Sequence, residues 1–104
     1  MKLSEMVYRL VNQIPEGRVS SYKILAEKLN TKAYRAIGQA LKRNPNPIST
    51  PCHRIVSSSG HIGGFKGKTS GKEIKEKIKL LEKEGIKVKS NKVVDFENRI
   101  YKFK

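Results

Sequence analysis

Ser21-Tyr22-Lys23-Ile24-Leu25-Ala26-Glu27-Lys28-Leu29, then Asn30-Thr31, then Lys32-Ala33-Tyr34-Arg35-Ala36-Ile37-Gly38-Gln39-Ala40-Leu41-Lys42 is the run that decides the fold. Ser21 can cap a helix from Tyr22 to Leu29, since its hydroxyl can accept from an orphan amide of the first turn. Ile24, Leu25 and Leu29 give this helix one apolar side. Asn30-Thr31 breaks the pattern, and a second helix runs from Lys32 to Lys42 with Ala36, Ile37, Ala40 and Leu41 inward. Two short helices across a tight turn form a helix-turn-helix. The small residues Ala33, Ala36, Gly38 and Ala40 let the second helix bring its backbone close to its surroundings.

Working outward, Ser4 can cap an earlier helix with Glu5 in its first turn. Met6, Val7, Leu10, Val11 and Ile14 supply its apolar face, and Pro15-Glu16-Gly17 stops it. After the helix-turn-helix, Pro45, Pro47 and Pro51 predict a rigid, extended segment from Arg43 to Pro51. Cys52-His53-Arg54-Ile55-Val56 reads as a short strand, and Ser57 to Ser70 as a loop. A fourth helix from about Gly71 to Glu84 carries Ile74, Ile78 and Leu81 at i, i+4, i+7. Glu73 and Lys77 are placed for a surface ion pair on it, and Gly85 is a good stop. Ile86 to Lys104 alternates in places and predicts a short strand or hairpin. The expected fold is mainly α with short β elements, a winged helix-turn-helix-like DNA-binding domain over residues 1–104.

Composition bounds the function. A chain of 104 residues has room for one domain with one modest core. No apolar run is long enough to span a bilayer, and the N-terminus lacks a cleavable signal pattern. The expected location is cytoplasmic, associated with the nucleoid through DNA, or nuclear in a eukaryote. Lys and Arg number 23 against 9 Asp and Glu, a net charge of +14. Such an excess calls for a polyanion, with nucleic acid the first candidate and an anionic membrane surface the second. A lysine-rich solvated surface is the plain alternative. One cysteine excludes an internal disulfide, and one Cys with two His is a poor set for structural zinc, so no metal is expected.

Cys52 is either a small buried hydrophobe or a nucleophile. A nucleophile must be thiolate, so it needs a base or a positive field nearby. His53 and Arg54 follow it directly, but neighbouring side chains on an extended chain face opposite ways. A bridging water or a turn would reconcile them, with an acidic residue of the fourth helix holding the imidazole. Adjacency of Cys and His does not by itself establish catalysis.

Pro51-Cys52-His53-Arg54-Ile55-Val56 resembles the active-site signature of the O6-alkylguanine-DNA alkyltransferases. Arg35-Ala36-Ile37-Gly38-Gln39-Ala40-Leu41 is similar to their recognition-helix motif, and Asn44-Pro45-Asn46-Pro47 to their hinge. Ile14-Pro15-x-Gly17-x-Val19-x-Ser21-Tyr22 is similar to the approach to their second helix. Gly60 to Gly67 resembles their site loop, and Lys77-x-x-Leu80-Leu81-x-x-Glu84-Gly85 their last core helix. These motifs cover nearly the whole chain in the family's order.

The resemblance implies a suicidal transfer of alkyl from O6-alkylguanine in double-stranded DNA to Cys52, once per molecule and without a cofactor. His53 would deprotonate Cys52 through a water, with Glu84 orienting His53 and Glu82 the competing partner. Tyr22 would protonate or hydrogen-bond the leaving guanine and crowd the phosphate. Arg35 would enter from the minor groove and fill the gap left by the flipped base, and Tyr34, Ala36, Gln39 and Ser21 would meet DNA around it. Asn44 would tie the helix-turn-helix to the active-site segment, and Leu41 would form a pocket wall. The carbonyls of Cys52 and Ile55 would accept from the guanine amino group, and the Lys66 amide would approach O6. Lys66 and Lys68 would attract phosphate, and His61 would be loop surface. A monomer is expected.

Flipping is chemically required, because an O6-alkyl group inside a duplex is out of a protein's reach; extrusion costs a few kcal/mol. Arginine suits the vacated space, since its planar cation stacks on bases and meets phosphates. The family often carries an α/β domain before the first helix, whereas this chain starts almost at that helix. Asn46, Ser49 and Thr50 stand where apolar residues are common, Tyr34 and Gln39 replace small residues, and several extra residues separate Gly67 from Lys77. Two other functions compete: a lesion-binding protein of the alkyltransferase-like kind, which lacks the cysteine, and an ordinary helix-turn-helix regulator of undamaged DNA.

Overall fold

Tertiary packing ties the predicted helices around a common core. The computed structural model describes residues 2–46, 49–66, 68 and 71–103. Pro47 of the hinge, Gly67 of the site loop and the end of the predicted loop at Thr69-Ser70 lie outside the described residues. Helix α1 spans Leu3–Val11, α2 Tyr22–Lys28 and α3 Tyr34–Lys42. A 3-10 turn at Cys52–Arg54 leads into strand β2, Ile55–Val56, which pairs in parallel with β1, Ser20–Ser21. Helix α4 spans Lys72–Lys83; β3 (Val88–Lys89) and β4 (Lys92–Val93) form an antiparallel hairpin, and α5 is one turn at Phe96–Arg99. The mainly helical fold with small sheets, a helix-turn-helix among them, is the one expected.

Local chemistry explains the helix-turn-helix. The Ser21 hydroxyl accepts from the Ile24 amide at 3.2 Å and caps α2. Asn30 takes a left-handed conformation (φ 53°) and turns the chain, a conformation asparagine tolerates better than most residues. The Thr31 hydroxyl then accepts from the Ala33 amide at 3.1 Å, so α3 starts at Tyr34 and not at Lys32. The Tyr8 hydroxyl donates to the Ala40 carbonyl at 2.6 Å and locks α1 onto α3. Ile37, Ala40 and Leu41 are buried as expected, but Ala36 is exposed, because the inward arc of α3 is narrower than the sequence pattern implied.

Three further expectations change. Helix α1 begins at Leu3 with no side-chain cap, since Leu3 itself packs on the core and draws the start past Ser4. It ends at Val11; Ile14 is buried from the following turn. The predicted strand over Cys52–Val56 is a strand only at Ile55–Val56, because the Arg54 amide donates back to the Pro51 carbonyl at 3.0 Å. Glu73 and Lys77 do not pair: Lys77 is buried, with its ammonium on backbone carbonyls.

The last residues strap the molecule. The hairpin turns through Ser90 and Asn91, both at positive φ, as a tight two-residue connection requires. Its Asn91 carbonyl accepts from the Ile62 amide, and the Gly60 carbonyl accepts from the Val93 amide, each at 2.9 Å. Gly60 sits at φ +92°, and a Cβ there would lie 3.2 Å from the Phe96 ring, so this contact needs glycine. The Arg99 guanidinium donates to the carbonyls of Gly17 and Gly85, both at 3.2 Å. Val19 and Tyr101 add a backbone bond of 2.7 Å. The site loop and the ends of α1 and α4 are thereby held to one frame.

Candidate active site

Cys52 is 8% exposed and forms one wall of a cavity of about 210 Å³. Tyr22, at the start of α2, and Gly38, Leu41 and Lys42, on α3, supply the helix-turn-helix side. Gly64, Phe65, Lys66 and Lys68 close the loop side. Leu41 and Lys66 therefore stand on the wall. Asn44 and Ile55 are not among its lining residues: the Asn44 amide group is bonded to the Thr50 carbonyl, and Ile55 is buried with its own amide on the Cys52 carbonyl.

Behind Cys52 lies a charged network. His53 Nε2 is 2.8 Å from Glu84 Oε2. Arg54 grips the same carboxylate, donating from Nε at 2.9 Å to Oε1 and from Nη2 at 2.7 Å to Oε2. Its Nη1 donates to the Ile14 carbonyl at 2.7 Å, tying the network to the turn that follows α1. Glu84 is thus the imidazole's partner and Glu82, exposed, is not. Burial pulls Glu84 towards its neutral form, but the bonds from Arg54 and His53 outweigh it and hold the carboxyl below the usual range.

Burial also lowers His53, and the charges of Arg54 and Lys77 add to it, against the raising influence of Glu84. A neutral imidazole facing a carboxylate carries its proton on Nε2. Nδ1 is then a lone pair; it is buried and has no hydrogen-bond partner among the described residues. The 3-10 turn matters here. It abolishes the extended geometry in which Cys52 and His53 would face opposite ways.

Tyr22 is raised above the ordinary tyrosine value by burial and then by Cys52, so its hydroxyl keeps its proton. A Cβ built at Gly63 would stand 3.8 Å from that hydroxyl, which places the loop against Tyr22. Asn44 Nδ2 donates to the Thr50 carbonyl at 2.8 Å, and its Oδ1 accepts from the Asn46 amide at 3.0 Å. Asn44 therefore joins the end of α3 to the segment before Cys52. The Cys52 carbonyl accepts from the Ile55 amide, and the Ile55 carbonyl accepts from Lys77 Nζ at 2.7 Å. Each has one acceptor direction already engaged.

On the outer face, Tyr34, Arg35, Ala36 and Gln39 are all exposed along α3. Ser21 differs: it is 1% exposed and its hydroxyl is committed to the cap, so its side chain faces the core. Lys66 pairs with Glu76 at 2.9 Å at the surface and is one of the residues at positive φ. His61 is exposed, with Nδ1 2.8 Å from the Ser59 hydroxyl. Sequence reasoning missed Arg54 as the second clamp on Glu84, and Lys77 as a buried cation. The second had a signal, since Lys77 falls at the i+3 place of the apolar stripe Ile74, Ile78, Leu81. Among the described residues no helix is long and apolar enough to cross a membrane, and no cluster of three His, Cys, Asp or Glu could hold a metal ion.

A helix-turn-helix whose second helix shares a cavity with the chain's one cysteine is a fold of the DNA-binding class. The chain belongs to the family of the 6-O-methylguanine DNA methyltransferase DNA-binding domain, whose profile matches residues 2–86. A methylated-DNA–protein-cysteine methyltransferase of Sulfolobus acidocaldarius is 44% identical over 84 residues, 81% of this chain and 50% of that protein. The O6-methylguanine-DNA methyltransferase of Pyrococcus kodakaraensis aligns over 83% of this chain and 47% of its own, with 41% identity and a TM-score of 0.69. S. pombe Atl1, in complex with damaged DNA containing O6-carboxymethylguanine, aligns over 99% of this chain and 100% of its own, with 26% identity and a TM-score of 0.78. The chain spans about half the length of the curated relatives it matches.

Proposed function

We propose that this chain repairs DNA by moving an alkyl group from O6 of a flipped guanine to Cys52 Sγ, once per molecule. The observation that carries this is the placement of Cys52 on the wall of a cavity shared with Tyr22, directly before the His53–Glu84–Arg54 network.

Glu84 holds the Nε2 proton of His53, and Nδ1 takes the Cys52 proton through a water. The thiolate attacks the alkyl carbon. The S–C bond forms as the C–O6 bond breaks, and the electron pair passes into the guanine ring. Tyr22 hydrogen-bonds the ring as that charge develops. The product guanine gains one proton, equal to the one that Cys52 gave up. A thioether has no good leaving group, so the site is spent.

Arg35, exposed on α3, fills the space of the extruded nucleotide from the minor groove, with Tyr34, Ala36 and Gln39 beside it. The lysine excess supplies phosphate attraction. This domain acts on DNA as a monomer and draws on no cofactor. S. pombe Atl1 aligns over its whole length, which is compatible with a lesion-binding role, but Cys52 distinguishes the two functions.

Incubation with duplex containing O6-methylguanine, followed by peptide mass mapping, tests the proposal. A gain of one methylene on the peptide holding Cys52 is expected. An unmodified peptide with tight, lesion-specific binding would establish the sensor function instead.

A further inference from the structure

Lys77 is the largest buried side chain that the proposed chemistry leaves unused. It is 1% exposed, on the inner face of α4. Its Nζ donates to the carbonyls of Ile55 at 2.7 Å and Gly64 at 3.0 Å, and also to that of Ile62. Ile55 closes the turn that carries Cys52, and Gly64 shares the cavity wall with Cys52. The ammonium therefore joins the two pieces of backbone that bracket the thiol.

Among the described residues the charge has no carboxylate partner. Glu73, one turn earlier, makes no ion pair with it among the described residues, and Glu76 pairs with Lys66. The titratable groups coupled to it are Cys52 on the 3-10 turn, whose charge would raise it, and His53, which it lowers. Tyr22 also feels Cys52 but keeps its proton. Carbonyls satisfy the hydrogen bonds of an ammonium without cancelling its charge. A buried cation of this kind favours an anion nearby, and Cys52 is the group here that can become one.

We propose that Lys77 is a positioning residue of the alkyl-acceptor site: it fastens the Ile62–Gly64 loop to Ile55 and supplies the countercharge for the Cys52 thiolate. This rests on Cys52 being the acceptor. Burial pushes the Lys77 ammonium down to about 7, and the Cys52 charge raises it. The two charges therefore support one another, and alkylation of Cys52, which removes one of them, weakens the other.

The first test uses Lys77→Met, which keeps the length and removes the charge, and Lys77→Arg, which keeps the charge. The pH profile of Cys52 alkylation by iodoacetamide is read for each, because it needs neither DNA nor base flipping. Lys77→Met is expected to slow the reaction by up to roughly tenfold below about pH 7, where the ammonium carries its charge, with little change well above that, and Lys77→Arg to restore part of the loss. A Lys77→Met profile superimposable on the wild type's overturns the proposal.

The second test needs no variant, so it holds even where Lys77→Met fails to fold. The Lys77 Nζ is titrated by nitrogen NMR in the wild-type chain before and after S-methylation of Cys52. A lower midpoint after methylation supports the proposal, and an unchanged midpoint overturns it. Failure of the wild type to take methyl from DNA would instead remove the acceptor assignment, which neither profile measures.

Discussion

Substituting glutamine for Glu84 keeps the shape of the side chain and removes the charge on which His53 and Arg54 converge. The wild-type carboxylate receives three bonds, at 2.8 Å from His53 and at 2.7 and 2.9 Å from Arg54. Its side chain is 9% exposed and that of Arg54 15%. Breaking a buried ion pair from one side costs about 3–5 kcal/mol, and Arg54 can recover part of this by turning to water. A loss of about 2–3 kcal/mol is therefore expected, which lowers the melting temperature of a domain this size by roughly 10–20 °C.

The chemical effect is separate. An amide can offer its oxygen to Arg54 only by turning its NH2 towards His53. The imidazole must then accept at Nε2 and carry its proton on Nδ1, where the base is needed. Loss of a general base slows a reaction by roughly 10²- to 10⁴-fold. Thermal unfolding by circular dichroism reads the first effect, and single-turnover methyl transfer at a temperature where the variant is folded reads the second. Glu84→Gln protein that melts within about 2 °C of wild type and transfers within about twofold of its rate would refute the reasoning. A lower melting temperature with a normal rate would confine Glu84 to architecture.

Arg35→Ala is expected to slow repair in duplex DNA more than reaction with a free O6-alkylguanine base, and equal losses on both would contradict its place in the vacated stack. DNA affinity should fall steeply as salt rises, measured by fluorescence anisotropy, since phosphate neutralisation releases counterions; a flat response would contradict the charge argument. Stability should fall with acid, because both His53 and Glu84 sit below their ordinary values in the folded chain. The unfolded chain then binds the extra protons, first as pH drops below 6.5 and again below 4.5, so denaturant midpoints should decline through both windows. A midpoint constant from neutral pH down to pH 5 would contradict the His53 shift, and one that does not decline further below pH 4.5 would contradict the Glu84 shift.

Where local chemistry decides, the sequence was legible. Ser21 caps α2, Asn30 turns the chain, and Gly85 (φ +84°) ends α4, each through its own backbone preference. Where packing decides, it was not. Leu3 draws α1 past Ser4 because it meets the core. Lys77 looks like a surface partner for Glu73, and only the arrival of three carbonyls from distant segments draws it inside. Arg54 reads as a diffuse positive field beside Cys52, yet its bonds run to Glu84 and to Ile14 in the turn after α1, 30 and 40 positions away in the chain. The Pro51–Cys52 junction folds into a turn because the Pro51 carbonyl has the Arg54 amide to accept, a pairing the alternation of strand residues conceals.

Repair of this kind requires carbon to move from base to sulfur. A duplex carrying a carbon-13 label on its O6-methyl group, mixed in excess with the purified chain, tests this most directly. The label is expected to appear as S-methylcysteine at position 52, at no more than one label per chain however large the excess. Label that remains on the DNA, or leaves as methanol with the Cys52 thiol still free, would contradict it.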